Sequence, residues 1–209
     1  MIGPSLQKPG AGSLLLRVFF FTGMPMELYL IRHTTPEVPR GTSYGRSDVP
    51  LRPTFLEELG AVKKKLDGLA GMVYFSSPLQ RCVRLAKGLG GGDPVIDRRL
   101  IEIDFGDWEM KSWEGGETLH VLQGIIERPA PNGESYRQVQ QRAVSFLDEI
   151  AAEAHERVAA VTHAGVVRVL VAHVLRMPLD RLFTLVPSLG SLTRIDVDGS
   201  GQRLVFFNR

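Results

Sequence analysis

The sequence contains one cysteine, little net charge and no apolar run long enough to span a membrane. Cys82 is the only cysteine among 209 residues, which excludes an intramolecular disulfide and a metal site built from several cysteines. One cysteine suits a reducing compartment, and we expect a cytoplasmic protein. The 25 basic and 23 acidic side chains leave a net charge of +2. This balance lacks the strong basic excess of nucleic-acid-binding surfaces, so we expect no nucleic-acid partner.

The N-terminal region is predicted to be an extension outside the domain. The apolar stretch at residues 14–21 contains Arg17 and is much shorter than the ~20 residues that a membrane-spanning helix needs. We therefore expect no membrane partner. The first convincing strand begins at Met26, which predicts an extension over residues 1–25 and one domain over residues 26–209. Hydrophobic residues make up 44% of the chain and charged residues 23%, as is typical of globular proteins.

Strands and helices alternate along the predicted domain. Short apolar runs predict strands, whereas apolar residues at helical spacing predict helices. This alternation predicts a three-layer α/β/α sandwich with a mostly parallel sheet. An irregular segment at residues 98–133 is interpreted as an insertion beside the functional site. The predicted strands are 26–31, 72–76, 94–97, 157–162, 192–197 and 203–207; the predicted helices are 54–69, one opened by Ser77 as N-cap and Pro78, 134–154 and 164–175.

Basic side chains follow three of the predicted strands. Ligands of parallel sheets bind outside the carboxyl ends of the strands. We therefore expect Arg32 and His33, Arg81, and His163 to converge in one crevice. A neutral imidazole can attack phosphorus, and arginine forks match phosphate oxygens. Gly165 lets a helix begin tightly after His163 and present backbone N–H donors to an anion. These side chains predict a phosphoryl pocket.

Five motifs occur in an order that resembles the histidine phosphatase superfamily, whose fold is called phosphoglycerate-mutase-like. The resemblance covers residues 26–209. RHT at 32–34, followed by GTSYGRSDVPL at 41–51, is similar to the α-ribazole phosphatase branch of cobalamin biosynthesis. The five motifs are LIRHTTP (30–36), SSPLQRCVRLA (76–86), EIDFGDWE (102–109), NGESY (132–136) and VTHAGVVR (161–168).

The resemblance implies a role for each matching residue. It implies that His33 is the nucleophile that becomes phosphohistidine and that Glu102 is the general acid. An anionic substrate beside Glu102 would favour the protonated form that an acid needs. The resemblance also implies a cationic clamp on the phosphoryl oxygens, and no metal or cofactor is required. The clamp is formed by Arg32, Arg81 and His163 with Gly165 as a further phosphate contact, and the expected substrate contacts are Thr35, Tyr44, Arg46 and Ser188.

We therefore expect a metal-independent phosphomonoesterase, a hydrolase whose partner is a small phosphomonoester, with α-ribazole 5′-phosphate as the first candidate. A phosphoglycerate mutase is disfavoured, because mutases of this fold resemble RHGxSxWN and this chain has RHTTPEVP at 32–39. Four alternatives remain: a phosphatase of protein phosphohistidine, a broad-specificity sugar phosphatase, a divalent-metal hydrolase that uses the carboxylates of residues 102–109, and a non-catalytic phosphate-binding module. The sequence does not predict an oligomeric state.

Overall fold

The computed structural model describes residues 25–39, 41–112 and 122–209. The predicted extension therefore lies, except for its last residue, outside the described residues, as does part of the predicted insertion. Every predicted strand is present within two residues of its predicted bounds. The strands are β1 (Met26–Arg32), β2 (Met72–Ser76), β3 (Val95–Ile96), β4 (Arg157–Thr162), β5 (Leu192–Asp198) and β6 (Gly201–Phe206); the α-helices are α1 (Phe55–Lys65), α2 (Gln80–Ala86), α3 (Tyr136–Ala152) and α4 (Ala164–Val174).

The strands form one six-stranded sheet in the order β3-β2-β4-β1-β5-β6. Neighbouring strands from β3 to β1 are parallel, and β5 runs antiparallel to both β1 and β6. The parallel register aligns three carboxyl ends, because Arg32 of β1 lies opposite Thr162 of β4 and Ser76 of β2 lies opposite Val161. The residues that follow these strands therefore meet at one edge of the sheet.

The two faces of the sheet are covered by different helices. Leu28 and Leu30 of β1 are fully buried in the cluster that contains α3 and α4, with Phe146 of α3 among its largest members. Tyr29 and Ile31 point to the opposite face, into the cluster that contains α1 and α2. This alternation follows from the two-residue period of a strand. The three-layer α/β/α sandwich with a mostly parallel sheet is confirmed.

The start of α2 differs from the prediction. Ser77 does not cap the helix, because Leu79 is still extended and the first helical residue is Gln80. The backbone N–H of Gln80 donates to Asp48 Oδ1 at 2.9 Å. The Asp48 carboxylate, from a distant loop, thus accepts from the N–H at the helix end, whereas local sequence predicts that a serine does so. Arg81 nevertheless lies in the first turn, as expected.

Two other helices differ in how well the sequence predicts their ends. The predicted helix 54–69 ends early at Lys65, and Gly68 adopts a left-handed conformation with a φ of 77° just beyond it. By contrast, α3 begins with a capping box in which Ser135 and Gln138 each bond to the other's backbone N–H. No helix in the described parts of the chain is both long and apolar enough to cross a membrane.

Candidate active site

Two histidines face each other at the carboxyl edge of the sheet. His33 follows β1 and His163 follows β4, and both side chains are almost completely buried. Their ring centroids lie 5.1 Å apart, with the planes tilted by 60°. The backbone N–H of His33 donates to the carbonyl of Thr162 at 3.0 Å, which links the two strand ends directly. The predicted convergence of the two imidazoles is therefore present in the structure.

The hydrogen bonds of His33 define its reactive nitrogen. Nδ1 lies 2.7 Å from the backbone oxygen of Thr34. A carbonyl oxygen can only accept, so Nδ1 carries the proton and Nε2 holds the lone pair. Burial lowers the pKa of His33 well below its ordinary value of 6.5, and the charges of Arg81 and Arg32 lower it further. His33 is therefore a neutral imidazole with Nε2 available as a nucleophile.

His163 is fixed by two side chains of the segment after β2. Its Nε2 lies 2.7 Å from Ser77 Oγ and 3.4 Å from Cys82 Sγ. Burial lowers the pKa of His163 well below 6.5, with further contributions from Arg81 and His33. Burial also raises the pKa of Cys82 to about 12, so its thiol stays neutral. Ser77 and Cys82 therefore hold the ring without adding charge.

Two arginines surround the imidazole pair. Arg81 is fully buried and donates to the backbone oxygens of Gly45 and Ser47 at 2.7 and 2.8 Å. Arg32 donates from Nη1 to the backbone oxygen of Pro187 at 2.7 Å. Within the described residues, the buried Nε atoms of both arginines have no hydrogen-bond partner. Such donors are costly to leave unsatisfied, and a bound anion would satisfy them.

A cavity of about 280 Å³ opens beside His33. Four of the predicted site residues line it: Arg32, His33, Tyr44 and Glu102. The Tyr44 ring lies edge-on to His33 at 6.4 Å and beneath the Arg81 guanidinium at 5.4 Å. The remaining lining residues are Gly41, Thr42, Ser43, Gly45, Phe105, Leu122, Tyr136, Ala164 and Arg168.

Glu102 is held at the cavity by two backbone N–H groups. Ile103 donates to its Oε1 at 3.0 Å, and Gly165 donates to its Oε2 at 3.1 Å. A Cβ at position 165 would overlap Oε1, so only glycine permits this close approach. The N–H of Gly165 is thus engaged by the Glu102 carboxylate. Its predicted contact with a phosphate stays a prediction.

Three of the predicted substrate contacts lie outside the lining of the cavity. Thr35 donates from its backbone N–H and its hydroxyl to Glu58. Arg46 forms ion pairs with Asp104 and Glu134 at 3.1 and 3.0 Å. The side chains of Thr35 and Arg46 are therefore engaged by carboxylates of the protein, and their roles as substrate contacts stay predictions.

Ser188 also lies outside the cavity lining, in the loop before β5. Its backbone N–H donates to Asn208 Oδ1 at 2.5 Å. This bond joins the loop to the C-terminal residues of the chain. The predicted substrate contact of Ser188 likewise stays a prediction.

The acidic segment after Glu102 does not gather its carboxylates into one site. Asp104 accepts from Arg46 and from the N–H of Gly106, whereas Asp107 accepts from Asn132. Glu109 accepts from backbone N–H groups of three residues and from the Ser47 hydroxyl. In the parts of the chain that the structure describes, no group of three or more His, Cys, Asp or Glu side chains could hold a metal ion.

Several residues around the site were not predicted from the sequence. Ser43, Tyr136 and Arg168 line the cavity. Tyr136 and Arg168 end the motifs NGESY and VTHAGVVR, so their positions were noted but their roles were not. Arg168 is four residues after Ala164 on α4, and this helical spacing places both at the same face. That spacing is the one signal that could have found Arg168.

The model of the histidine phosphatase superfamily (branch 1) matches residues 28–209. The chain belongs to this superfamily. The resemblance inferred from the five ordered motifs is thereby confirmed, and it spans nearly all of the described chain. Four of those motifs contribute lining residues to one cavity: LIRHTTP, EIDFGDWE, NGESY and VTHAGVVR.

Individual relatives are similar along most of their length. A candidate phosphoserine phosphatase from Hydrogenobacter thermophilus is 28% identical over 197 residues, which cover 87% of this chain and 95% of the relative. An adenosylcobalamin/alpha-ribazole phosphatase from Escherichia coli is 26% identical over 185 residues, 83% of this chain and 91% of the relative. The solved alpha-ribazole phosphatase from Shigella flexneri superposes with a TM-score of 0.76 at 25% identity, over 88% of this chain and 96% of the other. The chain is a phosphoric monoester hydrolase of this superfamily.

Proposed function

We propose that the protein hydrolyses small phosphomonoesters in two steps through a phosphohistidine on His33. One observation carries this proposal: a buried, neutral His33 presents an unshared Nε2 at a cavity flanked by His163 and arginines. A neutral nucleophile forms no ion pair with the cations that bind the substrate, so it does not compete with the phosphate for them. This arrangement supports the proposed roles of His33, Glu102, His163, Arg32 and Arg81.

In the first step, His33 Nε2 attacks phosphorus while the bond from phosphorus to the ester oxygen breaks. Glu102 donates its proton to the departing oxygen, which leaves as an alcohol. Negative charge spreads over the equatorial phosphoryl oxygens in the transition state. The fixed charges of Arg32 and Arg81 would stabilise these oxygens without reorganisation, and His163 would contribute a hydrogen bond.

In the second step, water attacks the phosphorus of phosphohistidine. The Glu102 carboxylate takes a proton from the attacking water, and the bond between phosphorus and Nε2 breaks. Inorganic phosphate leaves, and His33 and Glu102 return to their starting protonation states. The cycle needs no metal, because positioned cations and one carboxyl supply the charge stabilisation and the proton transfers.

The substrate proposal is coarser than the reaction proposal. α-Ribazole 5′-phosphate is one candidate, supported by the RHT and GTSYGRSDVPL motifs and by two relatives named for that activity. The single cysteine and its burial support the proposed cytoplasmic location. A screen of phosphomonoesters that includes α-ribazole phosphate and several hydroxy-acid and sugar phosphates, each with and without EDTA, would identify the preferred class.

The test of the reaction is phosphoenzyme formation. Brief incubation with a ³²P-labelled phosphomonoester and rapid denaturation should yield a label that is stable in alkali, labile in acid and located on His33. His33→Gln should lose the label and at least ~10⁴-fold of kcat/KM, since it removes the nucleophile. His173→Gln, on the outer surface of α4, is the matched control and should keep both.

Four results would contradict the proposal. An acid-stable label would indicate a different nucleophile, and full activity in His33→Gln would exclude His33. Loss of turnover in EDTA would favour the metal-dependent alternative, whereas turnover that is indifferent to EDTA is expected here. Transfer of the label to an added alcohol in preference to water would favour a mutase.

A further inference from the structure

The segment that contains Glu102 has little secondary structure of its own. It runs between two short 3-10 helices, Arg98–Leu100 and Gly106–Trp108, and Glu102 lies in neither a helix nor a strand. The position of a general acid must nevertheless be held within narrow limits, because proton transfer depends on its distance from the departing oxygen. Contacts from other elements must therefore fix the backbone at Glu102.

Four consecutive backbone oxygens of this segment, those of residues 99–102, accept hydrogen bonds from two side chains. Arg142 of α3 donates to the first, third and fourth of these oxygens at 2.6, 2.6 and 3.2 Å. Thr162, which ends β4 directly before His163, donates from Oγ1 to the second at 2.7 Å. Backbone oxygens inside a protein need donors, and here side chains supply the bonds that a helix or a sheet would otherwise supply.

Arg142 is in turn oriented by Glu134. Its Nε and Nη2 donate to the two carboxylate oxygens of Glu134, each at 3.1 Å. Together with the three contacts to backbone oxygens, these bonds give an acceptor to every one of the five N–H donors of the guanidinium. Glu134 also accepts from the backbone N–H of Asp104 at 3.1 Å, two residues after Glu102. The pair Arg142–Glu134 therefore holds the segment on both sides of the proposed acid.

Arg142 differs in this respect from the arginines beside His33. In the part of the chain that the structure describes, the buried Nε atoms of Arg32 and Arg81 have no partner, and a bound anion could use them. All donors of Arg142 bond to the protein, and Arg142 is not among the residues that line the cavity. Its role must therefore be exerted on the protein and not on the substrate.

We propose that Arg142, oriented by Glu134, is a positioning residue for Glu102. This proposal rests on the proposed function, in which Glu102 is the general acid, and adds a residue that touches neither the substrate nor the reacting atoms. The planar fork of arginine is needed, because the three donors of a lysine diverge from a single nitrogen and cannot reach all of these acceptors. Without the fork, the Glu102 carboxyl would move relative to the departing oxygen, whereas His33 would keep its place at the end of β1.

The first test is Arg142→Lys, which keeps the positive charge and removes the fork. We expect kcat/KM to fall by about tenfold for the alkyl phosphate that the wild type hydrolyses best, through kcat and with little change in KM. For p-nitrophenyl phosphate the loss should be less than about twofold, because nitrophenolate leaves without a proton. Arg137→Lys is the matched control: Arg137 lies on the same helix, pairs with Glu127 at the surface and should tolerate the change on both esters.

A double-mutant cycle tests whether Arg142 acts through Glu102. In a Glu102→Gln background, Arg142→Lys should cause little further loss for the alkyl phosphate, because the carboxyl that it positions is already absent. A residue that only stabilises the fold would cause the same loss in both backgrounds.

A second variant tests the same inference without changing Arg142. Thr162→Val removes the fourth hydrogen bond with little change of shape, and it should show a smaller loss with the same dependence on the leaving group. Thermal melts identify any variant that is unfolded, and Thr162→Val decides the matter if Arg142→Lys does not fold.

The outcomes separate this inference from the proposed reaction. If Glu102→Gln impairs alkyl phosphates selectively but Arg142→Lys and Thr162→Val impair both esters equally or not at all, the inference is wrong and the reaction stands. Additive losses in the double-mutant cycle would overturn it in the same way. If Glu102→Gln itself shows no dependence on the leaving group, Glu102 is not the acid, and the inference falls with that part of the proposed function.

Discussion

The two halves of the cavity are built in different ways. On the phosphate side, His33, His163 and Arg81 follow strand ends and are almost completely buried. On the leaving-group side, Phe105 and Leu122 come from the irregular segment between β3 and α3 and are only partly buried. The first half is fixed by the topology of the sheet, whereas the second depends on individual side chains.

This difference separates the part of the site that binds the phosphate of any substrate from the part that selects the leaving group. A strand end in a parallel sheet can hold a reactive group within narrow limits, because ladder hydrogen bonds and core packing fix the backbone. Loop residues can change without disturbing the core, and they can therefore select different leaving groups. The chain's relatives are named for several different phosphomonoesters, which fits a constant phosphate side and a variable wall.

Glu102 lies at the boundary between the two halves of the cavity, and its removal should lower kcat more than its displacement does. Glu102→Gln should lower kcat by ~10²–10⁴-fold for alkyl phosphates, whose alkoxide needs a proton to leave. The loss should be much smaller for p-nitrophenyl phosphate, since nitrophenolate leaves unprotonated. Steady-state kinetics on both esters check this. Equal losses on the two would show that Glu102 has no role as an acid.

A smaller effect is expected when Glu102 is displaced and not removed. Gly165→Ala places a Cβ where Oε1 of Glu102 now lies, so the carboxyl must move. We expect kcat for alkyl phosphates to fall by about tenfold, again with less effect on p-nitrophenyl phosphate. Gly60→Ala is the matched control, because a Cβ there meets no neighbour. Unchanged kinetics in Gly165→Ala would show that the contact with Glu102 is unimportant.

A separate effect concerns the stability of the phosphate half. The pKa values of His33 and His163 are lowered in the folded state, so the unfolded chain binds protons below pH 6.5 that the folded chain does not. Their contribution to stability is therefore intact above pH 6.5 and is lost as the pH falls. Each histidine should reduce the free energy of unfolding by up to about 1.4 kcal/mol per pH unit below 6.5.

Chemical denaturation between pH 7.5 and 5 measures this slope. His163→Gln should show a shallower slope than the wild type, whatever its stability at pH 7.5. His173→Gln removes a histidine outside the site and should keep the wild-type slope. An equal slope in wild type and His163→Gln would mean that His163 is not held neutral by burial.

The sheet and the phosphate half were largely predictable from the sequence. Each strand is a short apolar run, and alternation with helices leaves few possible topologies. Once the strands are parallel, their carboxyl ends must share an edge, which brings His33 and His163 together without any knowledge of side-chain contacts. The same logic located Arg81, although the helix that contains it begins later than expected.

The leaving-group half was less predictable, because tertiary contacts decide which polar side chains reach the cavity. Arg46 and Arg168 are both arginines in recognisable motifs, yet one is paired with Asp104 and Glu134 and the other has no such partner in the described structure. Local sequence cannot predict which of these two arginines forms ion pairs with the protein and which lines the cavity. Thr35 illustrates the same point, since Glu58 of α1 accepts both of its donors.

The contacts of α2 with residues 41–48 have a consequence for product release. Arg81 binds the backbone of Gly45 and Ser47, and Asp48 caps the helix at Gln80. These hydrogen bonds join the wall to the arginine that is proposed to bind phosphate, so we expect any movement of the wall that releases phosphate to carry Arg81 with it.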